Sequence, residues 1–147
     1  MGKKIIYIDL DNTMADYLLE VKRRNSNVKD AKHIHGFFSS LQPMPGAIDA
    51  YNELSKYFQI YFLTTSPWSN PQAASEKISW VKQYIPNAYK NVIITHRKDL
   101  NIGSYLIDDS DKNGAGDFSG KFIHFRTDEF PDWTTVVNYI KNREKIE

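Results

Sequence analysis

The chain has 147 residues, of which 41% are hydrophobic and 25% charged, a composition that suits one compact domain with a substantial apolar core. Its formal net charge of +1 gives no general attraction for nucleic acids or membrane surfaces, so we expect neither stable nucleic-acid binding nor a membrane partner. The absence of cysteine excludes disulfides, zinc–thiolate sites and thiol catalysis.

Five short apolar runs, rich in Ile, Val, Tyr and Phe, end in polar residues and predict β-strands. In chain order these runs cover residues 3–10, 58–65, 91–96, 104–109 and 121–127. Their apolar residues are continuous rather than alternating, which is typical of parallel strands that are covered on both faces.

Helical patterns lie between most of these runs, over residues 14–29 and 46–57, after the Asn70–Pro71 pair, and after Asp132. In the third helix the predicted core face consists of Ala74, Ile78, Val81 and Ile85. In the last helix it consists of Trp133, Val136, Val137 and Ile140, with Asp132 as the N-cap. Strands that alternate with helices predict an α/β fold with a mostly parallel sheet of about five strands.

Polar side chains follow four of the predicted strands, at the point where each strand ends. Taken singly, each of these polar residues can be explained as a turn residue, a helix cap or a solvated charge. In a parallel sheet, however, the carboxyl ends of the strands share one edge, and ligands bind there. In chain order the residues are Asp9 and Asp11, then Thr64, Thr65 and Ser66, then Lys98, then Asp108 and Asp109.

Together these residue types point to phosphoryl transfer. Clustered carboxylates without His or Cys suit a hard cation such as Mg²⁺. Hydroxyl and ammonium groups bind phosphate, and an aspartate can act as a nucleophile towards phosphorus. A metal, a nucleophile and a phosphate cradle are the parts that this chemistry requires.

The motifs "DLDNT", "TTS", Lys98 and "IDD", in that order, resemble those of the haloacid dehalogenase-like (HAD) phosphatases. Longer segments, "YIDLDNTMAD", "LTTSP", "EKISWV", "YLIDD" and "FIHFRTDEFPDW", make the chain similar to the 5′(3′)-deoxyribonucleotidase family. The resemblance spans nearly the whole chain except residues 18–42. Asn12 replaces the Gly that is more usual in the first motif.

The resemblance implies a Rossmann-like three-layer fold and a Mg²⁺-dependent phosphomonoester hydrolase that acts through an aspartyl-phosphate. Asp9 would be the nucleophile, and Asp11 the general acid and base that serves the leaving oxygen and then water. Thr65, Ser66 and Lys98 would bind the phosphate. The implied substrates are (deoxy)nucleoside 5′- or 3′-monophosphates.

By the same resemblance, Mg²⁺ would be held by Asp9, the Asp11 backbone carbonyl and Asp109. Asp108 is an alternative direct ligand or contacts the ligating groups without binding the metal itself. Lys77, in "EKISWV", is either a further phosphate-side contact or a surface lysine of its helix.

The resemblance makes residues 1–147 one domain with a small cap or lid at roughly 14–44, since only about 30 residues separate Thr13 from Pro45. The base-stacking candidates are Tyr17, Phe37 and Trp68. The "GFF" pattern nevertheless favours core or lid packing for Phe37 and its neighbour. With a cap this small, other phosphoesters, such as a sugar phosphate or a nucleic-acid end, are also candidate substrates.

Two other functions compete with hydrolysis. A receiver-type phospho-acceptor domain shares the α/β fold, the acidic pair, the Thr and the Lys. Residues 109–114 also match the first half of an EF-hand calcium loop, although Gly120 stands where the bidentate Glu belongs.

The sequence also bears on location and assembly. No apolar stretch approaches the roughly 20 residues of a membrane-spanning helix. The apolar run at residues 5–8 is too short for a signal peptide, so we expect a cytoplasmic protein. The sequence leaves open whether the protein forms a homodimer.

Overall fold

The computed structural model describes residues 2–147, which are built around one five-stranded sheet. Every pair of neighbouring strands is parallel, in the order β3-β2-β1-β4-β5. The predicted parallel sheet of five strands is therefore confirmed. Its strands are β1 (Ile5–Ile8), β2 (Gln59–Thr64), β3 (Val92–Ile94), β4 (Tyr105–Asp108) and β5 (Lys121–His124).

In the described part of the chain, five α-helices and three single 3₁₀ turns connect or follow the strands. None of the helices within residues 2–147 is both long and apolar enough to cross a membrane. The helices are α1 (Tyr17–Arg23), α2 (Val28–Ala31), α3 (Ala47–Leu54), α4 (Pro71–Tyr84) and α5 (Trp133–Arg143). The 3₁₀ turns are Phe38–Ser40, Lys98–Leu100 and Ala115–Asp117.

The predicted single helix over residues 14–29 is wrong, because two short helices replace it. Asp16 caps α1 by accepting a hydrogen bond from the Leu19 amide at 3.1 Å. After α1, Asn25 adopts a left-handed backbone conformation with φ of 54°, which ends the helical path. Asn27 then caps α2 through the amide of Asp30 at 2.9 Å.

The two faces of the sheet are covered differently. All five helices contribute to the core on one face, where Ile6, Ile8 and Phe62 point. The other face, with Tyr7 and Leu63, is covered by Ala115 and Phe118 from the loop after β4, and no residue of an α-helix belongs to its cluster. The Tyr7 hydroxyl also donates to the Ile102 carbonyl, which lies before β4. The third layer of this fold therefore consists of loops and 3₁₀ turns.

The strand order fixes where the polar strand ends meet. From β1 the chain proceeds to β2 and β3 on one side, then crosses to β4 and β5 on the other. A crevice forms at such a reversal, outside the carboxyl ends of the two central strands. The Asp9 amide donates to the Ile107 carbonyl at 2.9 Å, which aligns the end of β1 with that of β4.

Replacing Phe62 tests the core on the helical face. Its side chain is fully buried and stacks on Tyr51, with ring centroids 5.5 Å apart. We expect Phe62→Ala to lower the free energy of unfolding by about 3–5 kcal/mol in urea denaturation. Ile102→Ala, at an exposed apolar position, should change it by less than about 0.5 kcal/mol. Equal effects of the two substitutions would contradict this packing.

Candidate active site

Three carboxylates and one lysine form the centre of the crevice. Asp9, Asp108 and Asp109 each offer an oxygen that lies within 4.8 Å of the others. The Lys98 ammonium lies 2.9 Å from Asp9 Oδ1 and 2.6 Å from Asp108 Oδ2. Lys98 comes from the 3₁₀ turn after β3. The segment that crosses from β3 to β4 therefore supplies the ammonium group of the site.

The crowding of these charges shifts their protonation equilibria. Burial, followed by the charge of Asp9, raises the pKa of both Asp108 and Asp109, and for Asp109 the pKa is about 7. Burial works to lower the pKa of Lys98, but attraction by Asp9 and Asp108 outweighs it and raises that pKa. Lys98 therefore stays charged, while the carboxylates hold more negative charge than it can neutralise.

Asp11 lies beside this centre and has a different partner. Its Oδ2 is 2.6 Å from the Lys77 ammonium, which also donates to Thr64 Oγ1 at 3.1 Å and lies 4.5 Å from the centre of the Phe38 ring. Burial raises the pKa of Asp11, whereas the charge of Lys77 lowers it; the net shift is upward. The two acids of the first motif are therefore held by two separate lysines.

The position of Lys77 corrects the predicted orientation of α4. The buried residues of this helix are Ala73, Lys77, Trp80 and Val81, whereas Ile78 from the predicted face is 42% exposed. Lys77 is only 1% exposed and faces the crevice. Hydrophobic periodicity missed this orientation because it assigns a lysine to the solvent side.

Thr13 is a site residue that the sequence analysis did not single out. Its hydroxyl donates to Asp9 Oδ2 at 3.1 Å and lies 3.5 Å from Asp109 Oδ1. Its carbonyl accepts a hydrogen bond from the Trp133 indole at 2.9 Å, so α5 fixes the loop after β1. Its place four residues after Asp9, in the same short loop, was the available signal.

The hydroxyl groups of Thr65 and Ser66, after β2, differ in whether they are free to donate a hydrogen bond to a ligand. Thr65 lines the crevice, but its hydroxyl donates to the Thr95 carbonyl at 2.7 Å. Within residues 2–147, the Ser66 hydroxyl is the one buried side-chain polar atom that has no hydrogen-bond partner. Ser66 therefore has the free donor.

The three base-stacking candidates lie in different surroundings. Tyr17 lines the crevice, and its hydroxyl donates to the Val28 carbonyl at 2.8 Å. Phe37 is fully buried against Tyr17 and Phe38, as the core-packing interpretation of this pair predicts, so it presents no face to a ligand. Trp68 is 89% exposed at the rim.

The crevice consists of two adjoining cavities, which together are called the cleft. One, of about 210 Å³, holds the acid cluster and Lys98. The other, of about 350 Å³, extends towards Trp68 and His96. Both are lined by Asp11, so that acid stands where the two cavities join.

The segment of residues 14–44 is tied to α4 through its backbone. Glu76 accepts hydrogen bonds from the amides of Gly36 and Phe38, both at 3.0 Å. The Asn70 side chain donates to the Lys32 carbonyl at 2.8 Å. This segment therefore lies beside the cleft and is fixed by the helix that carries Lys77.

The calcium-loop alternative is wrong. The loop follows β4 rather than a helix, and Asp111 is exposed and lies outside the acid cluster. Gly114 has φ of +83°, and a Cβ there would collide with the Asp99 side chain. A glycine at this position allows the loop to pack closely against the 3₁₀ turn that carries Lys98.

Residues 29–130 match the family described as 5′ nucleotidase, deoxy (pyrimidine), cytosolic type C. A protein of Vibrio phage KVP40, provisionally named a 5′(3′)-deoxyribonucleotidase, is 45% identical over 149 residues, which cover 97% of this chain and 88% of the phage protein. The chain belongs to this nucleotidase family. The match confirms the resemblance inferred from the motifs and the class of phosphoric monoester hydrolase, and it favours hydrolysis over a receiver-type domain.

Two further similarities agree with this family and fold. The human cytosolic-type 5′(3′)-deoxyribonucleotidase is 35% identical over 79 residues, 52% of this chain and 39% of the human protein. The crystal structure of YfnB from Bacillus subtilis, provisionally named a HAD-hydrolase and bound to magnesium, superposes with a TM-score of 0.56. It covers 90% of each chain at 12% identity, so it supports the fold alone.

Removing the Glu76 carboxylate tests the connection between α4 and residues 14–44. In Glu76→Ala the amides of Gly36 and Phe38 lose their acceptor, and we expect both to exchange hydrogen faster. The free energy of unfolding should fall by about 1–3 kcal/mol. Gln83→Ala, at an exposed position of the same helix, is the matched control and should leave both amides unchanged. Unaltered exchange in Glu76→Ala would contradict the assigned bonds.

Proposed function

We propose that the protein is a Mg²⁺-dependent phosphatase that hydrolyses deoxynucleoside monophosphates through an aspartyl-phosphate on Asp9. The observation that carries this proposal is the separation of the two acids after β1. Asp9 belongs to the carboxylate cluster with Lys98, whereas Asp11 contacts Lys77 where the two cavities join. This separation supports attack on phosphorus by Asp9 and proton transfer by Asp11 to the group that leaves.

The contacts of Asp9 suit a nucleophile. Lys98 donates to Oδ1 and Thr13 to Oδ2, so both oxygens are oriented. The Lys98 charge also offsets the repulsion between an approaching phosphate dianion and the carboxylate. Formation of the aspartyl-phosphate breaks the bond between phosphorus and the nucleoside oxygen.

The contacts of Asp11 suit a general acid and base. Its raised pKa, which comes first from burial, favours a carboxyl group that can hold a proton for the leaving oxygen. The Lys77 ammonium stabilises the carboxylate that remains after this transfer. The same carboxylate can then take a proton from the water that hydrolyses the aspartyl-phosphate.

The residues of the centre fit Mg²⁺. When Asp9, Asp108 and Asp109 are ionised, this cluster carries two more negative charges than Lys98 offsets, an excess that a divalent cation would balance. No described residue donates a hydrogen bond to the Asp11 carbonyl, which leaves this oxygen free. Mg²⁺ bound there would neutralise charge on the phosphoryl oxygens.

The two neighbouring aspartates after β4 have different contacts. Asp108 accepts from Lys98 at 2.6 Å and from the Ser110 amide at 3.0 Å, so both of its oxygens have partners. Asp109 has no ammonium group as a partner among the described residues. This difference supports Asp109 as the direct metal ligand, with Asp108 positioning Lys98.

For the phosphate, the contacts favour Ser66 and Lys98 as donors. The Ser66 hydroxyl is buried and unpartnered, whereas the Thr65 hydroxyl already donates to a carbonyl. Thr65 then contributes through its place in the cavity wall. Tyr17 and Trp68 remain the candidates for contact with the base.

Phosphate release from a panel of 5′- and 3′-deoxynucleoside monophosphates tests the function. We expect release by the wild type with Mg²⁺ and none after chelation. Asp9→Asn should lower the rate by roughly a thousandfold or more, since it removes the nucleophile. Asp111→Asn makes the same chemical change outside the cluster and should retain activity. Release that persists in Asp9→Asn would eliminate the aspartyl-phosphate mechanism.

Proton competition at Asp109 gives a pH dependence for Mg²⁺ binding. Because burial and Asp9 raise the pKa of this carboxyl to about 7, a proton occupies the ligand increasingly as the pH falls below that value. We expect calorimetric Mg²⁺ affinity to be about tenfold lower at pH 6 than at pH 8. Asp109→Asn should bind weakly at both pH values. Equal wild-type affinity at the two pH values would contradict Asp109 as a direct ligand.

A further inference from the structure

We infer that the cleft also accepts the phosphorylated end of a single-stranded oligonucleotide. This inference rests on the proposed phosphatase function and extends its substrates from free nucleotides to strand ends. Three observations carry it: an exposed tryptophan at the rim, a segment beside the cleft that leaves this tryptophan uncovered, and unpaired lysines on two walls.

Trp68 lies two residues after Ser66, in the wall of the outer cavity. Among residues 2–147 its one aromatic neighbour is His96, which approaches edge-on with ring centroids 6.1 Å apart. An indole that is 89% exposed beside a phosphate-binding loop offers a flat face on which a base can stack. Such stacking is tolerant of base identity, because every base has a π-face.

The segment of residues 14–44 does not cover this face. Its two phenylalanines, Phe37 and Phe38, are buried against Tyr17 and Lys77. No aromatic ring of the segment packs on Trp68. A nucleotide stacked on Trp68 therefore stays open to solvent on its outer side, where a continuing strand can leave the cleft.

Two lysines line the cleft from opposite elements. Lys32 follows α2 and lies on the outer cavity, whereas Lys112 lies in the loop after β4, on the inner cavity. Neither lies within 4 Å of a carboxylate in the described part of the chain, unlike Lys77 and Lys98. Free ammonium groups at the mouth of a cleft suit the phosphodiester groups of a short strand.

The reaction at a strand end is the one proposed for nucleotides. The ester bond between the terminal phosphorus and the strand oxygen breaks as the phosphoryl group passes to Asp9. Asp11 gives its proton to the departing strand oxygen. Water then cleaves the aspartyl-phosphate and returns a proton to Asp11. The balance is one terminal phosphomonoester and one water giving one hydroxyl end and one inorganic phosphate.

The test compares thymidine 5′- and 3′-monophosphates with 5′- and 3′-phosphorylated thymidine trinucleotides, with Mg²⁺ present. We expect kcat/KM for at least one trinucleotide to be within about tenfold of that for the matching mononucleotide. Trp68→Ala should lower the trinucleotide kcat/KM about tenfold or more, mainly through KM. Tyr89→Ala removes another exposed aromatic side chain, outside the cleft, and should have no such effect.

A second arm tests the two lysines. The combined Lys32→Ala and Lys112→Ala variant should lower kcat/KM for the trinucleotide more than for the mononucleotide. It should also weaken the dependence of the trinucleotide reaction on salt concentration. Lys82→Ala, at an exposed position of α4 outside the cleft, is the matched control.

The outcomes separate this inference from the proposed function. Mononucleotide hydrolysis with a kcat/KM more than about tenfold lower for both trinucleotides would overturn the strand-end activity and leave the phosphatase intact. Hydrolysis of neither substrate would overturn both. Equal losses in the Trp68 and Tyr89 variants would overturn the stacking role, and an unchanged substrate ratio in the double lysine variant would overturn the electrostatic one.

Discussion

Two buried ammonium groups hold three of the four carboxylates of the cleft in place. Lys98 bridges Asp9 and Asp108, and Lys77 contacts Asp11. A buried carboxylate without a partner is strongly unfavourable, so neither lysine could be lost without a change in the charge or position of its acids. Because each lysine comes from a different connecting segment, the pairs separate Asp9 from Asp11, and the proposed mechanism assigns attack on phosphorus to the first and proton transfer to the second. The remaining negative charge is what makes a divalent cation a fitting third component.

This arrangement depends on where the strand order reverses. β1 pairs with both β2 and β4, and the chain crosses the sheet between β3 and β4. The crossing segment brings Lys98 to the carboxyl ends of the central strands, and β4 brings the paired aspartates. The face of the sheet beneath this crossing is covered by loops and 3₁₀ turns. The loop that carries Asp109 therefore also covers this face of the sheet.

The strands and their polar ends could be predicted from the sequence because buried parallel strands are continuous apolar runs whose first polar residues mark the sheet edge. The errors have equally specific causes. Lys77 was buried against the expectation of amphipathic periodicity, because its partner Asp11 lies on a distant part of the chain. The break after α1 depends on a left-handed Asn25, which apolar spacing does not reveal. For Phe37, the core packing that the "GFF" pattern favoured over base stacking is provided by Tyr17 and Phe38, which meet it only in the folded chain.

The successive residues Glu76 and Lys77 link the segment beside the cleft to the acid chemistry. Glu76 holds two amides of that segment, and Lys77 holds Asp11 while lying against the Phe38 ring. A displacement of the segment would therefore disturb the environment of Lys77, and through it Asp11, without any direct contact with phosphate. Phe37 and Phe38 are committed to this packing. Under the proposed function, contact with the substrate beyond the phosphate thus falls to Tyr17, to the exposed Trp68 and to the unpaired lysines, groups that distinguish charge and stacking more strongly than the identity of a base.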